Sequence, residues 1–355
     1  MKNINDKIHK IYVFTRMGEN YLRYKAGHPA PFFGVYFATL ECNYNCRFCP
    51  IAHDTHSERS EKAQELRQQS VLTTAQAKYA IDWLKKIGTV GVSFTGGEPL
   101  LRKDLEEIAF YARKKHFFTV LNTNASLVTE KRAHDLAECF DSITVSLSGS
   151  PEIDDMLRGA GAYEKTNAGI RVLKKATKLK ISINFVITSK NHQEIDFIID
   201  YAKKHCDSIT FLPISYKSDF FLDRDSANIV KQKLISLKKQ HGNFISNSMA
   251  HIEFFDTFLA GESVCFNCDP FDVYFALASN GEISGCCSYP YYVGNILSMS
   301  PGNYRFLVAK HKKKLLAQCG GCSSPICWEL SALYRRPFFP NASMLTKYFD
   351  LLFNK

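Results

Sequence analysis

Cys42, Cys46 and Cys49 stand in the stretch ECNYNCRFC with the spacing C-x3-C-x2-C. Thiols grouped this closely ligate metal or do redox chemistry. A structural zinc site wants four protein ligands, so three cysteines are either part of such a site or the holders of a group that needs only three. A 4Fe-4S cube held by three thiolates is of the second kind, because one iron keeps free coordination positions and can bind a ligand.

A second group comes late. Seven of the twelve cysteines lie between residues 262 and 330: Cys265, Cys268, Cys286, Cys287, Cys319, Cys322 and Cys327. Between Cys268 and Cys286, Asn280-Gly281 is a two-residue hairpin signal that would bring those two cysteines towards each other. The segment reads as a smaller domain folded around metal. Seven thiols fall short of the eight that two full cubes require, so one cluster is expected; a zinc ribbon is the alternative, since C-x2-C pairs suit zinc equally well. Cys139 and Cys206 fall at expected helix ends and read as structural, and His53 and His56 open a polar loop that reads as exposed.

The elements that must position these groups follow from the apolar pattern. Runs at 34–40, 90–95, 117–123, 142–147, 181–187 and 208–214 are rich in β-branched or aromatic residues and read as strands. Stretches such as TTAQAKYAIDWLKKIG and RKDLEEIAFYARKKH carry apolar residues at helical spacing between them. Six strands alternating with helices imply a parallel sheet with right-handed crossovers: an α/β fold, a partial (β/α)6 TIM-like barrel, with its site at the C-terminal strand ends. The cysteine trio follows the first strand, TGGEP the second and NTNA the third. The expected divisions are an N-terminal extension at 1–33, the barrel at 34–218, a helical linker at 219–261, the cysteine-rich domain at 262–330 and a tail at 331–355.

With 355 residues, 45% of them hydrophobic, the chain can bury a large core. No apolar run reaches membrane-spanning length and the start lacks a secretion signal, so a cytoplasmic setting is expected, where clustered cysteines are not disulfides. The formal charge of +10 is dispersed. The run KHKKK at 310–314 reads as a solvated helix face, without the aromatic platform of a nucleic-acid site.

Taken together, the trio, TGGEP and the stretch SLSGSPEIDDMLRGAGAY resemble the radical SAM superfamily over most of residues 34–330. Cys42, Cys46 and Cys49 match its cysteine loop, and Phe48 matches the aromatic position near the adenine of S-adenosylmethionine. Gly96, Gly97 and Glu98 match the strip that receives the methionine amino group; glycine suits it because a side chain would block close approach of the backbone to the ligand. Ser146 and Arg158 match positions that hold the methionine carboxylate, a group well suited to a guanidinium fork. The chain departs from the family at Ser148, where Asp is usual, and at Asp154, where His is usual. The resemblance implies a [4Fe-4S] cluster with one open iron, S-adenosylmethionine bound there, and one-electron cleavage to a 5'-deoxyadenosyl radical.

The late segment resembles the SPASM/twitch auxiliary-cluster domain in its one-cluster form. Cys268 matches the first ligand, Cys286 the ligand after the turn glycine, and Cys319 and Cys322 the closing C-x2-C. The two-cluster pattern continues C-x2-C-x5-C-x3-C, whereas the gap before Cys327 here is four residues and the last cysteine is missing. Cys265, Cys287 and Cys327 are left over and read as inert thiols. The implied cofactors are S-adenosylmethionine, the open cluster and one auxiliary [4Fe-4S] cluster, and the implied electron source is a reductant such as flavodoxin or ferredoxin.

Three functions fit this resemblance to different degrees. The first is radical maturation of a ribosomally made peptide, and the second is radical chemistry on a small or lipid-like intermediate. The third, an iron-sulfur electron carrier, explains neither TGGEP nor Ser146 and Arg158. The 33 residues before the barrel are too few for the leader-binding domain that peptide-maturing relatives often carry. Both aromatic, basic ends are expected to pack on the barrel's bottom or side, with contact to a membrane surface as the alternative.

Overall fold

The computed structural model describes residues 2–49, 51, 65, 68–214, 218–262, 264, 268–286, 291–319, 321 and 324–335. Cys265, Cys287, Cys322, His53 and His56 lie outside the described residues.

Six parallel strands form in the expected places: β1 (Phe33–Thr39), β2 (Gly91–Gly96), β3 (Phe118–Thr123), β4 (Ser142–Ser146), β5 (Lys180–Ile187) and β6 (Ser208–Pro213). Neighbours in sequence are neighbours in the sheet, in the order β6-β5-β4-β3-β2-β1. The crossovers carry α2 (Thr74–Lys86), α3 (Leu105–Lys114), α4 (Glu130–Cys139), α5 (Pro151–Arg158), α6 (Ala162–Ala176) and α7 (Ile195–His205), with α1 (Lys2–Lys25) ahead of β1. Local chemistry sets the helix starts. Thr73 and Gln76 form a reciprocal capping box at α2, and Thr129 caps α4 by accepting from the Arg132 N–H. The apolar stripes of these helices bury Trp83, Leu84, Ile108, Leu136 and Leu173 against strand residues such as Phe94, Leu121, Ile143 and Phe185.

The linker region holds α8 (Arg224–His241), α9 (Met249–Ile252) and α10 (Phe255–Leu259). It guards one sheet edge: the Asn247 side chain accepts from the Phe211 N–H and donates to the Phe211 carbonyl, both at 2.8 Å, as a neighbouring strand would.

The other edge is closed by the cysteine-rich segment itself. β7 (Tyr274–Leu277) pairs in parallel with β1, from Phe33↔Tyr274 to Tyr36↔Leu277. β8 (Glu282–Ser284) returns antiparallel through Asn280-Gly281, where Gly281 has φ +91°, and β9 (Tyr292–Asn295) follows. The expected hairpin is present, and it continues the barrel sheet to nine strands instead of forming a sheet of its own. Two helices complete the description, α11 (Tyr304–Gln318) and α12 (Pro325–Arg335).

α1 packs across the N-terminal ends of the strands. His9 Nε2 meets the Asp141 carboxylate just before β4 at 3.1 Å, and Asn20 Nδ2 donates to the Gly88 carbonyl just before β2 at 3.1 Å. The end opposite the expected site is therefore covered by the chain itself. Among the described residues, no helix is long and apolar enough to cross a membrane.

Candidate functional site

β1 delivers its last residues to the C-terminal rim, and the cysteine loop starts there. Two glycines at the end of β2 allow a second chain segment to run against it. A Cβ on Gly96 would collide with the Thr39 carbonyl and one on Gly97 with the Glu41 carbonyl. In their place the Gly97 N–H donates to Thr39 O at 2.9 Å and the Glu98 N–H to Glu41 O at 2.7 Å. A close approach that requires glycine is thus to the backbone leading into the cysteines.

Glu98 is 1% exposed. Its Oε1 accepts from the Leu100 N–H at 2.9 Å and the Thr123 hydroxyl at 2.7 Å, while Oε2 accepts from the Asn124 N–H at 2.7 Å. Burial raises its proton affinity and these hydrogen bonds oppose that rise. The carboxylate fastens the loop after β3 to the rim. That loop in turn braces the cysteines: Asn124 Nδ2 donates to Asn43 Oδ1 at 2.9 Å, and Asn43 Nδ2 to Ser126 Oγ at 2.8 Å.

The cysteine loop is further tied down by the Cys49 N–H on Cys46 O at 3.0 Å, by the Arg47 N–H on Leu157 O at 2.9 Å and by the Tyr44 hydroxyl on Ala162 O at 3.3 Å. Phe48 belongs to a small apolar cluster with Leu157, Ile214 and Phe220, its ring edge-on to Phe220 at 6.5 Å. Burial raises the Cys42 thiol, and pushes Cys46 up to about 12 against the opposing charge of Arg158. Such thiols hold their protons until a metal displaces them.

Arg158 is 2% exposed, which excludes a surface arginine beside a turn. Nη1 donates to the Ser146 carbonyl and, at 3.2 Å, to Asp154 Oδ1; the Tyr44 ring lies 5.1 Å from the guanidinium. Ser146 therefore engages Arg158 through its main chain, leaving its side chain exposed. The departure from the usual family residues has a local logic, since Asp154 Oδ1 also accepts from the Ser148 N–H at 2.7 Å.

The late cysteines are placed less compactly. Cys268 is half-buried with its sulfur 2.6 Å from the Tyr274 hydroxyl, and it packs on the same smaller core as the fully buried Cys327. Cys286 is buried in the main core instead, and Cys319 caps α11. Cys139 and Cys206 are buried thiols, the former donating to the Glu106 carbonyl at 3.3 Å. Among the described residues, no three His, Cys, Asp or Glu side chains are drawn together into a metal-holding group. What supports an iron-sulfur group at the first loop is the donor set itself, three thiols on a short loop that is tied to its neighbours by hydrogen bonds.

Asn43 and Tyr44 took no part in the sequence reading of the site, although both stand between ligand cysteines.

Residues 36–202 match the Radical SAM superfamily. The AdoMet-dependent heme synthase of Methanosarcina barkeri is 38% identical over 169 residues, covering 47% of this chain and 45% of that one. The Fe-coproporphyrin III synthase of the same organism is 32% identical over 172 residues, 48% of this chain and 40% of that one. The chain thus spans less than half the length of these relatives. Among solved structures, native anSMEcpe with bound AdoMet and Kp18Cys peptide superposes with a TM-score of 0.62 at 20% identity, covering 81% of this chain and 84% of that one, a likeness of fold. Radical SAM enzymes bind S-adenosylmethionine and a [4Fe-4S] cluster. Residues 36–202 thus form a radical SAM superfamily domain.

Proposed function

We propose that this chain reductively cleaves S-adenosylmethionine and uses the 5'-deoxyadenosyl radical to abstract a hydrogen atom from a carbon of its substrate. The observation that carries the reading is the convergence of the braced Cys42–Cys49 loop with the buried Arg158 guanidinium. When bound, the cluster on Cys42, Cys46 and Cys49 supplies the one electron that breaks the sulfonium C–S bond, giving methionine and the radical. The chain's own part is positional. Glu98 and Asn124 hold the loops, Arg158 offers its guanidinium to the methionine carboxylate, and Phe48 and Phe220 furnish an apolar wall for the adenine.

For the substrate, the leading reading is a ribosomally made peptide; Cys268, Cys286, Cys319 and Cys322 would hold an auxiliary [4Fe-4S] cluster, which would supply an electron acceptor. The low-potential donor is a flavodoxin or ferredoxin. A second reading, a tetrapyrrole-like small molecule, is favoured by the names of the two Methanosarcina relatives, whose identity is confined to about half of the chain.

Anaerobically reconstituted, reduced protein should form 5'-deoxyadenosine and methionine; no 5'-deoxyadenosine would defeat the reading. Deuterium carried from a labelled substrate into 5'-deoxyadenosine separates the substrate classes. Transfer from a peptide encoded beside this gene supports the first, and transfer from a coproporphyrin supports the second.

A further inference from the structure

Asp154 and Arg158 sit one turn apart on α5, with side chains 0% and 2% exposed. A carboxylate and a guanidinium so fully withdrawn from water cost desolvation, and their geometry shows what that cost secures. Both hydrogen bonds from Arg158 to described oxygen atoms leave from one nitrogen, Nη1: one to Ser146 O and one to Asp154 Oδ1. The Tyr44 ring lies over the guanidinium, 5.1 Å from its carbon. The Ser148 N–H holds Asp154 Oδ1 from the other side, and Asp154 Oδ2, fully buried, has no hydrogen-bond partner. Asp154 is thus anchored through one oxygen and spends that oxygen on one corner of the fork. Nε and Nη2 take part in neither of these bonds, and the guanidinium as a whole interacts with Cys46.

We propose that Asp154 is a positioning residue for S-adenosylmethionine: by binding Nη1 it orients Arg158 so that the remaining donors form a fork for the methionine carboxylate. This rests on the reading that S-adenosylmethionine binds beside Cys46. It also has a sign that simple electrostatics does not share. A negative charge next to Arg158 weakens its pull on an anion, so removing that charge would tighten carboxylate binding if attraction alone mattered. Orientation predicts the reverse.

The test compares S-adenosylmethionine with its decarboxylated analogue by equilibrium binding to reconstituted protein. Asp154→Ala removes the oxygen that binds Nη1 together with the charge. It should weaken S-adenosylmethionine about tenfold, the scale of one charge-assisted contact, and leave the decarboxylated analogue within about twofold. Iron content should match the parent. If Asp154→Ala fails to fold, Asp154→Glu, which moves the carboxylate by one methylene, is measured in the same way with the same pattern expected. An equal loss for both ligands would make Asp154 a structural residue of α5, and unchanged or tighter S-adenosylmethionine binding would make its role electrostatic; either overturns the proposal. Parent protein that binds neither ligand would overturn the S-adenosylmethionine reading itself.

Discussion

Glu98 accepts the backbone N–H of Asn124 at 2.7 Å, so one buried carboxylate joins the loop after β2 to the loop after β3. Its other oxygen serves Leu100 and Thr123. Glu98→Gln keeps one acceptor oxygen but turns an NH2 towards a donor. That leaves at least one buried N–H or hydroxyl without its partner, at a cost of about 1–3 kcal/mol. Urea denaturation of the apoprotein should show the loss. An unchanged midpoint would mean that the carboxylate's contacts add nothing to stability and that Glu98 is kept for a ligand alone.

This relationship marks the limit of what was legible in the sequence. The six strands could be read because each is an apolar run bounded by turn residues, as in ISINFVI, and the rim followed from their alternation with helices. The meeting of Asn43 with Asn124 could not, since it joins loops from different strands through short polar side chains that carry no periodic signal. The pairing of β7 with β1 was hidden for another reason. YFAL is four residues long and its partner precedes it by most of the barrel, so the segment looked like a separate domain when it is the sheet's seventh parallel strand. The burial of Arg158 depends on Tyr44 arriving from the cysteine loop, which spacing alone does not show.

Cluster content tests the two cysteine groups. Anaerobic reconstitution should give about eight iron atoms per chain, and Cys42, Cys46 and Cys49 changed together to Ala should leave about four. Cys46→Ala alone should abolish 5'-deoxyadenosine formation. Cys286→Ala should retain some cleavage while stopping product formation, because its cluster would lie away from the sulfonium. Tightly held zinc in place of iron would defeat the assignment of both groups.

The base of the barrel offers a pH-dependent prediction. Burial alone would raise the Asp141 carboxyl, but His9, Arg113 and the Thr119 N–H hold it below the usual carboxylate range. A depressed carboxyl contributes its stability fully above the unfolded value of about 3.9 and loses it as pH falls through the lower folded value. Asp141→Asn should therefore cost about 3 kcal/mol near neutrality, since it strands the buried His9 and Arg113 contacts. The gap between parent and variant should close below about pH 4. Urea midpoints measured from pH 7 down to 3 decide this, and a gap that stayed constant with pH would show that the Asp141 charge is not what fastens α1.

Arg158 remains the residue on which cofactor recognition turns. In the fold it is already committed through Nη1 to Ser146 O and Asp154, under the Tyr44 ring. Arginine can make those contacts and still present two further donors in one plane, whereas a lysine ammonium is a single point that must choose between them. Arg158→Lys should weaken S-adenosylmethionine binding by roughly one to two orders of magnitude, corresponding to a buried charged hydrogen bond of about 1.5–3 kcal/mol. Iron content should stay the same, because no thiol is altered. Equilibrium binding on the reconstituted variant is the measurement. Parent-like affinity would mean that the guanidinium serves α5 and the cysteine loop only, and that the methionine carboxylate is held by other groups.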